Sequence, residues 1–369
     1  MTTRDLARLY RHYAALSPSS PALVPTPPFP SAVDLSRPET QQWFADHLLS
    51  NELANEAGAR TWKKVFWRRV VASVEEGFAR RHTAGDPVED EEVHPDILEA
   101  MVDFLSGSGP ASAPGICERT YYWGRLEMSP HEWNSVTTRE EGRMISGGTT
   151  GLRTWQACIS LSNHFVASRE AVCRARNVVE LGAGVGLLSL VSATLMRDAN
   201  GDEGEGRIVA TDVDEKVLEL LDGNVRLNRL KGHVLTKKLD WELASDLAQN
   251  EGALTQWETD SFGPGQRADL VIGADIVYDP ALAGHLASTL AWLLRARDRT
   301  TERAQAIVAG TIRNESTWEL FLSECRTREL SVSQVTLEVP AEESGIVGAE
   351  GWEGEGEVRV VSIVAGAQP

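Results

Sequence analysis

The chain lacks the features that mark secreted, metal-dependent and serine-hydrolase proteins. It has only four cysteines in 369 residues, and no two of them form a Cys-x-x-Cys pair, which indicates reduced thiols. The first residues, MTTRDLARLYRHY, contain no apolar stretch of the kind that secretory signals carry. HExxH and GxSxG patterns are also missing. We therefore expect a cytoplasmic protein without a metal site.

Long apolar runs and an excess of positive charge are missing as well. The longest apolar stretch, residues 178–196, contains Glu180 and three glycines, which indicates strand, turn and helix rather than a membrane span. Lys and Arg number 36 against 54 Asp and Glu, a net charge of −18, which argues against broad binding of a phosphate backbone. We expect a monomer that binds neither membranes nor nucleic acid directly.

The sequence pattern changes near residue 140. Residues 1–140 carry helical patterns separated by segments rich in proline or in serine and glycine, which predicts a helical N-terminal domain. Over residues 141–369, short β-branched runs alternate with helical patterns. This alternation predicts an α/β domain with a parallel sheet covered on both faces. The last two strand patterns follow each other directly and predict an antiparallel edge hairpin.

The strongest local signal is a glycine-rich turn, ELGAGVG, that directly follows an apolar strand pattern. Glycines allow the chain to turn sharply and let the backbone approach a ligand without interference from Cβ atoms. In an open α/β sheet such a turn faces a crevice at the carboxyl ends of the strands. The cofactor-binding candidates in this turn are Glu180, Gly182, Gly184 and Gly186.

Two cofactors compete for this turn. A dinucleotide favours GxGxxG with an acidic residue about 20 residues further on, whereas position 187 is leucine and Asp212 lies farther downstream. Glu180 would repel a pyrophosphate but suits the ammonium and sulfonium groups of S-adenosylmethionine. A tight turn that binds no ligand remains the alternative.

Acidic residues also end the next two strand patterns. Asp212 can accept hydrogen bonds from both ribose hydroxyls, while Asp214 is a second candidate for the ribose and also a candidate helix N-cap. After the third strand, Asp240 can accept from an adenine amino group, and the indole of Trp241 can cover the purine face.

The fourth strand pattern is followed by Asp275-Ile-Val-Tyr278, at the position where a nucleophile would meet a transferable methyl group. An aspartate can hold a lysine ammonium, and a tyrosine ring can contact a cation. The alternative is a helix N-cap followed by a buried tyrosine. Trp155 lies in an amphipathic pattern ahead of the glycine turn, where its spacing alone favours packing.

In their order and spacing, these motifs resemble the seven-β-strand protein-lysine methyltransferases of the DxxY group. The motifs that carry this resemblance are ELGAGVG, the strand-end TD, NVRLN, LDW and DIVY. A finer similarity, to the elongation factor 2 lysine methyltransferases, rests on GTTG with the following TW, on GADIVY and on TIRN. The motif resemblance covers roughly residues 145–330.

The resemblance implies a class I methyltransferase fold, which is a Rossmann-like sheet of seven strands in the order 3-2-1-4-5-7-6. It also implies S-adenosylmethionine as cofactor, translation elongation factor 2 as the protein partner, and methylation of one of its lysines. The N-terminal domain is expected to recognise the substrate, because its composition differs from that of the second domain and it carries a basic, aromatic helix pattern. Alternatives are methylation of a different protein lysine and a catalytically inactive cofactor-binding module. A nicotinamide-dependent oxidoreductase is disfavoured by Leu187 and Glu180.

Residue roles follow from the same resemblance. Asp275 and Tyr278 are implied to face the lysine, and Trp155 to close over the cofactor. The further cofactor contacts that the resemblance implies are Gly182, Ala183, Gly184, Asp212, Trp241 and Ala274.

Overall fold

The computed structural model describes residues 3–17, 29–49, 59–86, 92–106, 115–141, 151–201, 206–247, 251–295, 304–341, 344–347 and 356–366. The chain divides into two compact units. The first comprises residues 1–135, 139–143 and 342–353, and the second comprises residues 136–138, 144–341 and 354–369. Within the described ranges, no helix is long and apolar enough to cross a membrane.

The first unit is mainly helical. Its helices are α1 (Thr3–Ala14), α2 (Ala32–Leu35), α3 (Pro38–Leu48), α4 (Arg60–Ala84) and α5 (Pro95–Ser106). The strands β1 (Ile116–Trp123) and β2 (Asn134–Glu141) then form a two-stranded sheet. This sheet was not expected from the sequence, because β1 has no clear alternation of polar and apolar residues.

Aromatic side chains form the core of the first unit. Trp67 is fully buried, and its Nε1–H donates to the Tyr13 hydroxyl at 3.1 Å. The Phe66 ring lies edge-on to both of these rings. Buried aromatic pairs of this kind add specific geometry to the apolar area that they bury, so α1 and α4 are fixed against each other by this cluster.

The second unit is built on a seven-stranded sheet. Its strands are β3 (Asn177–Leu181), β4 (Arg207–Asp212), β5 (Val234–Lys238), β6 (Leu270–Ala274), β7 (Gln305–Thr311), β8 (Leu330–Gln334) and β9 (Val358–Ala365). Their order across the sheet is β5-β4-β3-β6-β7-β9-β8. Counted from β3, this is the predicted order 3-2-1-4-5-7-6. Strand β9 runs antiparallel to both of its neighbours, β7 and β8. The predicted class I methyltransferase fold is therefore confirmed, and the predicted terminal hairpin has β8 at the edge and β9 inside it.

The helices of this unit are α6 (Gln156–Ala167), α7 (Glu170–Arg174), α8 (Leu187–Asn200), α9 (Glu215–Leu227), α10 (Trp241–Leu247), α11 (Glu251–Phe262), α12 (Ala283–Leu294) and α13 (Glu315–Thr327). Two of them, α6 and α7, precede β3, and the others lie between strands of the sheet. The central strands β3 and β6 are buried at nearly every position. Continuous burial is expected where helices cover both faces of a parallel sheet.

The contact between Gly310 in β7 and Trp318 in α13 gives a first test of this packing. A Cβ at Gly310 would lie 2.7 Å from the Trp318 ring, so we expect Gly310→Ala to lower the free energy of unfolding by about 1–3 kcal/mol. Gly223 in α9 is the matched control, because nothing lies within 4 Å of its Cβ position. Gly223→Ala should be stabilising by about 0.5–1 kcal/mol. Chemical denaturation measures both, and equal effects of the two variants would contradict the packing described.

Candidate functional site

The candidate residues gather at one edge of the sheet. Strands β3 to β7 are parallel to one another, so their carboxyl ends meet at the same edge. Asp212 at the end of β4 pairs with Lys238, and Ala274 at the end of β6 pairs with Ala309 in β7. Ligands of open α/β sheets bind outside these carboxyl ends.

The glycine turn needs its glycines for two reasons. Gly182, Gly184 and Gly186 have φ values of 61°, 55° and 91°, a region that glycine occupies without strain. A Cβ on Gly182 would also lie 2.7 Å from Ile276 and 3.5 Å from the Trp241 ring. The turn therefore contacts both the Asp275–Tyr278 segment and the indole that the sequence predicted beside it.

Gly184 is the second close approach in this turn. A Cβ there would lie 3.1 Å from the carbonyl oxygen of Gly151, so the segment ahead of α6 lies over the turn. The Gly184 backbone N–H donates to Asp212 Oδ2 at 3.1 Å. The buried Ala183 donates its N–H to the carbonyl of Thr211 at 2.8 Å. The turn is thus fastened to the end of β4.

The two candidate ribose acids have different surroundings. Asp214 caps α9, since its Oδ1 accepts from the N–H groups of Lys216 and Val217. Asp212 instead lies beside the glycine turn, and its Oδ1 accepts from Val213 and Asp214. Burial raises the pKa of Asp212 above its ordinary value, although its backbone hydrogen bonds oppose this rise.

The candidate residues at the ends of β5 and β6 lie at the same edge of the sheet. Asp240 Oδ1 accepts from the Glu242 N–H at 2.9 Å, which is a helix-capping contact at the start of α10. The half-buried Trp241 packs against the core of the second unit. Ala274 is the last residue of β6, directly before Asp275.

Asp275 is held by several parts of the second unit. Its φ of 55° lies in the left-handed region, which aspartate tolerates better than most side chains. Oδ1 accepts from the Thr311 N–H at 2.8 Å and lies 3.5 Å from Arg313 Nη1. Oδ2 accepts from the Ala157 N–H at 2.9 Å and from Thr311 Oγ1 at 3.2 Å. Only 6 % of the side chain is exposed, so the carboxylate predicted to face the lysine is turned into the protein.

Tyr278 is the exposed member of the DxxY segment. It is 58 % exposed. Partial burial of the phenol raises its pKa, and the Asp212 and Asp279 carboxylates add to this effect. The ring therefore lies within electrostatic reach of the candidate ribose acid and remains accessible to a second molecule.

The start of α6 belongs to the same edge. The guanidinium of Arg313 lies 4.9 Å from the centre of the Trp155 ring, at cation–π distance. The neighbouring Gln156 has a buried Oε1 that accepts no hydrogen bond from the described residues. Its buried carbonyl oxygen is an acceptor for a donor that a ligand would bring.

Glu180 lies beneath the glycine turn rather than at its surface. It is 2 % exposed and accepts a short hydrogen bond from Ser189 in α8. Burial raises the pKa of Glu180 to about 8, although the hydrogen bond from Ser189 opposes the rise. The carboxyl of Glu180 thus faces α8. Its contact with a cofactor ammonium stays a prediction.

Sequence reasoning assigned no role to Thr311, Ala157 or Gly151, although each makes a contact at this edge. The motif TIRN was noted for its resemblance alone, and a strand-end threonine carries no signal of its own. Backbone donors such as the Ala157 N–H cannot be read from residue types. Within the described ranges, no group of His, Cys, Asp and Glu is arranged to hold a metal ion.

The acceptor groups at this edge fit S-adenosylmethionine. Gly182 and Gly184 have positive φ and lie against Ile276, Trp241 and Gly151, so this part of the turn has no room for side chains of its own. The acceptors are the Asp212 carboxylate beside the glycine turn and the buried Gln156 oxygen, which accepts no hydrogen bond from the described residues. Acceptors of this kind suit a cofactor that carries an ammonium group and two ribose hydroxyls.

Comparison with known proteins agrees with this geometry. Residues 137–324 match the profile of a family described as lysine methyltransferase. The protein-lysine N-methyltransferase EFM3 of Chaetomium thermophilum is 32 % identical over 272 residues, which cover 70 % of this chain and 74 % of the relative. Human protein-lysine N-methyltransferase EEF2KMT is 32 % identical over 236 residues, which cover 63 % and 65 %. EFM3 of Saccharomyces cerevisiae is 28 % identical over 275 residues, which cover 70 % and 71 %.

Glu180 predicts a pH dependence of stability. Its pKa is about 8 in the folded protein and about 4.3 in an unfolded chain, so the folded state holds a proton that the unfolded state has lost between these values. Stability therefore falls as the pH rises through this window. We expect Glu180→Gln, which keeps an acceptor for Ser189, to show a shallower fall in the free energy of unfolding between about pH 5 and pH 8. Parallel profiles for the two proteins would contradict the assignment.

Proposed function

Because the chain belongs to the lysine methyltransferase family, we propose that this protein-lysine N-methyltransferase modifies a lysine of translation elongation factor 2. The family fixes the reaction class and S-adenosylmethionine as the cofactor. The motif resemblance to the elongation factor 2 branch supports this choice of target. With this target, the reaction is proposed to occur in the cytoplasm.

One juxtaposition carries the functional assignment. The glycine turn contacts Ile276 of the DxxY segment and Trp241, and the segment that leads to Trp155 passes over the same turn at Gly151. A cofactor on this turn would thus lie between the candidate adenine residue and the segment that receives the lysine. The proposed contacts are Trp155, Gly182, Ala183, Gly184, Asp212, Trp241 and Ala274.

When bound, S-adenosylmethionine supplies an electrophilic methyl group on its sulfonium. A lysine side chain has a pKa near 10.4 in water, so the site has to accept it as an ammonium and favour its neutral amine. Burial lowers a lysine pKa and nearby carboxylates raise it. Tyr278 is exposed at the edge and offers a ring face to the cation. We propose that Tyr278 contacts the acceptor lysine. Alignment of this lysine with the methyl group contributes most of the rate.

The first unit is proposed to recognise the protein substrate. Its aromatic core is separate from that of the second unit. The matched family profile begins at residue 137, after the helices of this unit. Removal of residues 1–135 should therefore impair methylation of the intact protein substrate more than it impairs binding of the cofactor.

The target is tested by labelling. Purified protein is incubated with radiolabelled S-adenosylmethionine and a lysate from cells that lack the enzyme. We expect one labelled band at the size of elongation factor 2. Gly184→Arg should abolish the label, because the added side chain would meet Gly151 on the turn that is proposed to hold the cofactor. Gly223→Ala, whose Cβ would have no neighbour within 4 Å, should keep it. Label on another protein would retain the reaction and reject the proposed target.

The acid that holds the ribose is tested by a second set of variants. Asp212→Ala should weaken binding of S-adenosylhomocysteine by about tenfold or more, about 1.4 kcal/mol, in isothermal titration calorimetry. Asp214→Ala should instead cost about 1 kcal/mol of stability through loss of the helix cap. Asp214→Asn should restore this stability, since asparagine also caps. Loss of affinity on changing Asp214 alone would reverse the assignment.

A further inference from the structure

Both oxygens of the Asp275 carboxylate already accept hydrogen bonds from other groups of the second unit. An ionised carboxylate offers about four acceptor positions on its two oxygens. Oδ1 is approached by the Thr311 N–H and by Arg313, and Oδ2 by the Ala157 N–H and by Thr311 Oγ1. With 6 % of the side chain exposed, a fifth donor has little access.

At α6 this carboxylate acts as a cap supplied from another element. The first N–H groups of a helix have no partner within the helix, and the side chain of Trp155, the N-cap residue of α6, makes no capping hydrogen bond to them. Asp275 Oδ2 accepts from the Ala157 N–H instead. A negative charge at a helix N-terminus is also favoured by the helix dipole. Asp275 is thus bonded to the helix start that carries Trp155.

The same carboxylate fixes the end of β7. Thr311, the last residue of β7, binds it through both its backbone and its hydroxyl. Arg313, two residues further on, lies between Asp275 and the Trp155 ring. Three elements of the second unit, the start of α6, the end of β6 and the end of β7, therefore share one anion.

We propose that Asp275 is a positioning residue of the methyl transfer, which fixes Trp155 and the DxxY segment, and that the acceptor lysine is held by other groups. The inference rests on the proposed function for the role of Trp155 over the cofactor. It differs from a lysine-holding role in one measurable respect. A positioning residue acts on cofactor binding as well as on turnover, whereas a lysine-holding residue acts on the acceptor alone.

The experiment changes Thr311 and leaves Asp275 in place. Thr311→Val removes the hydroxyl that donates to Oδ2, and Thr311→Ser keeps it. Thr289→Val is the matched control, because Thr289 is a buried threonine whose hydroxyl donates to the His285 carbonyl within α12. Thr311→Ala replaces the valine variant if that protein does not fold.

Two readouts are measured on each variant. The first is the Kd for S-adenosylhomocysteine by calorimetry. The second is the ¹⁹F spectrum of protein labelled with 5-fluorotryptophan, in which Trp155→Phe assigns the Trp155 resonance. Trp67, buried in the first unit, serves as an internal reference, since a general loss of stability would not move the Trp155 resonance selectively.

We expect Thr311→Val to raise the Kd about tenfold and to shift or broaden the Trp155 resonance while Trp67 stays in place. Thr311→Ser should restore both readouts, and Thr289→Val should change neither. If Thr311→Val keeps the Kd and the resonance but raises the KM for the protein acceptor, Asp275 holds the lysine and the proposal is overturned.

Failure of the proposed function gives a different pattern. If the unmodified protein binds no S-adenosylhomocysteine, the function is rejected. The fluorine spectrum needs no cofactor and still decides whether Asp275 positions Trp155. An unchanged Trp155 resonance in Thr311→Val would overturn the positioning role in that case too.

Discussion

The carboxylate of Asp275 is the interaction on which the candidate site depends. It lies at the end of β6 with a left-handed backbone, and its oxygens join the start of α6 to the end of β7. A carboxylate accepts on two oxygens, whereas the amide of an asparagine, of the same size, accepts on one. The arrangement places Trp155, Arg313 and Tyr278 at one edge of the sheet. Within the DxxY segment, Tyr278 is the exposed residue.

The acids of the edge divide by their surroundings. Asp212 lies beside the glycine turn, and Asp214 and Asp240 receive N–H groups at helix starts. Glu180 is buried against Ser189 with a raised pKa. Acidic residues at this edge thus have different roles. Their burial and hydrogen bonds distinguish these roles more clearly than their positions in the sequence motifs do.

Much of the catalytic fold was predictable from sequence, because strand and helix patterns alternate and glycine is required after β3. The order of the strands came from the motif resemblance, and the structure confirms it. The sheet formed by β1 and β2 was not predicted, since its strands lack clear alternation. The inward orientation of Asp275 and Glu180 was also not predictable, because it depends on the Ala157 N–H, on Thr311 and on Ser189, which become neighbours only in the folded chain.

The most direct test of the account is a crystal structure of the protein with S-adenosylhomocysteine. We expect the ligand along Gly182–Gly184, its ribose on Asp212 and its adenine at Trp241. We also expect Asp275 to keep its hydrogen bonds to Ala157 and Thr311 and not to touch the ligand. A ligand bound away from the glycine turn would contradict the functional assignment, and an Asp275 carboxylate released from Thr311 would contradict the positioning role.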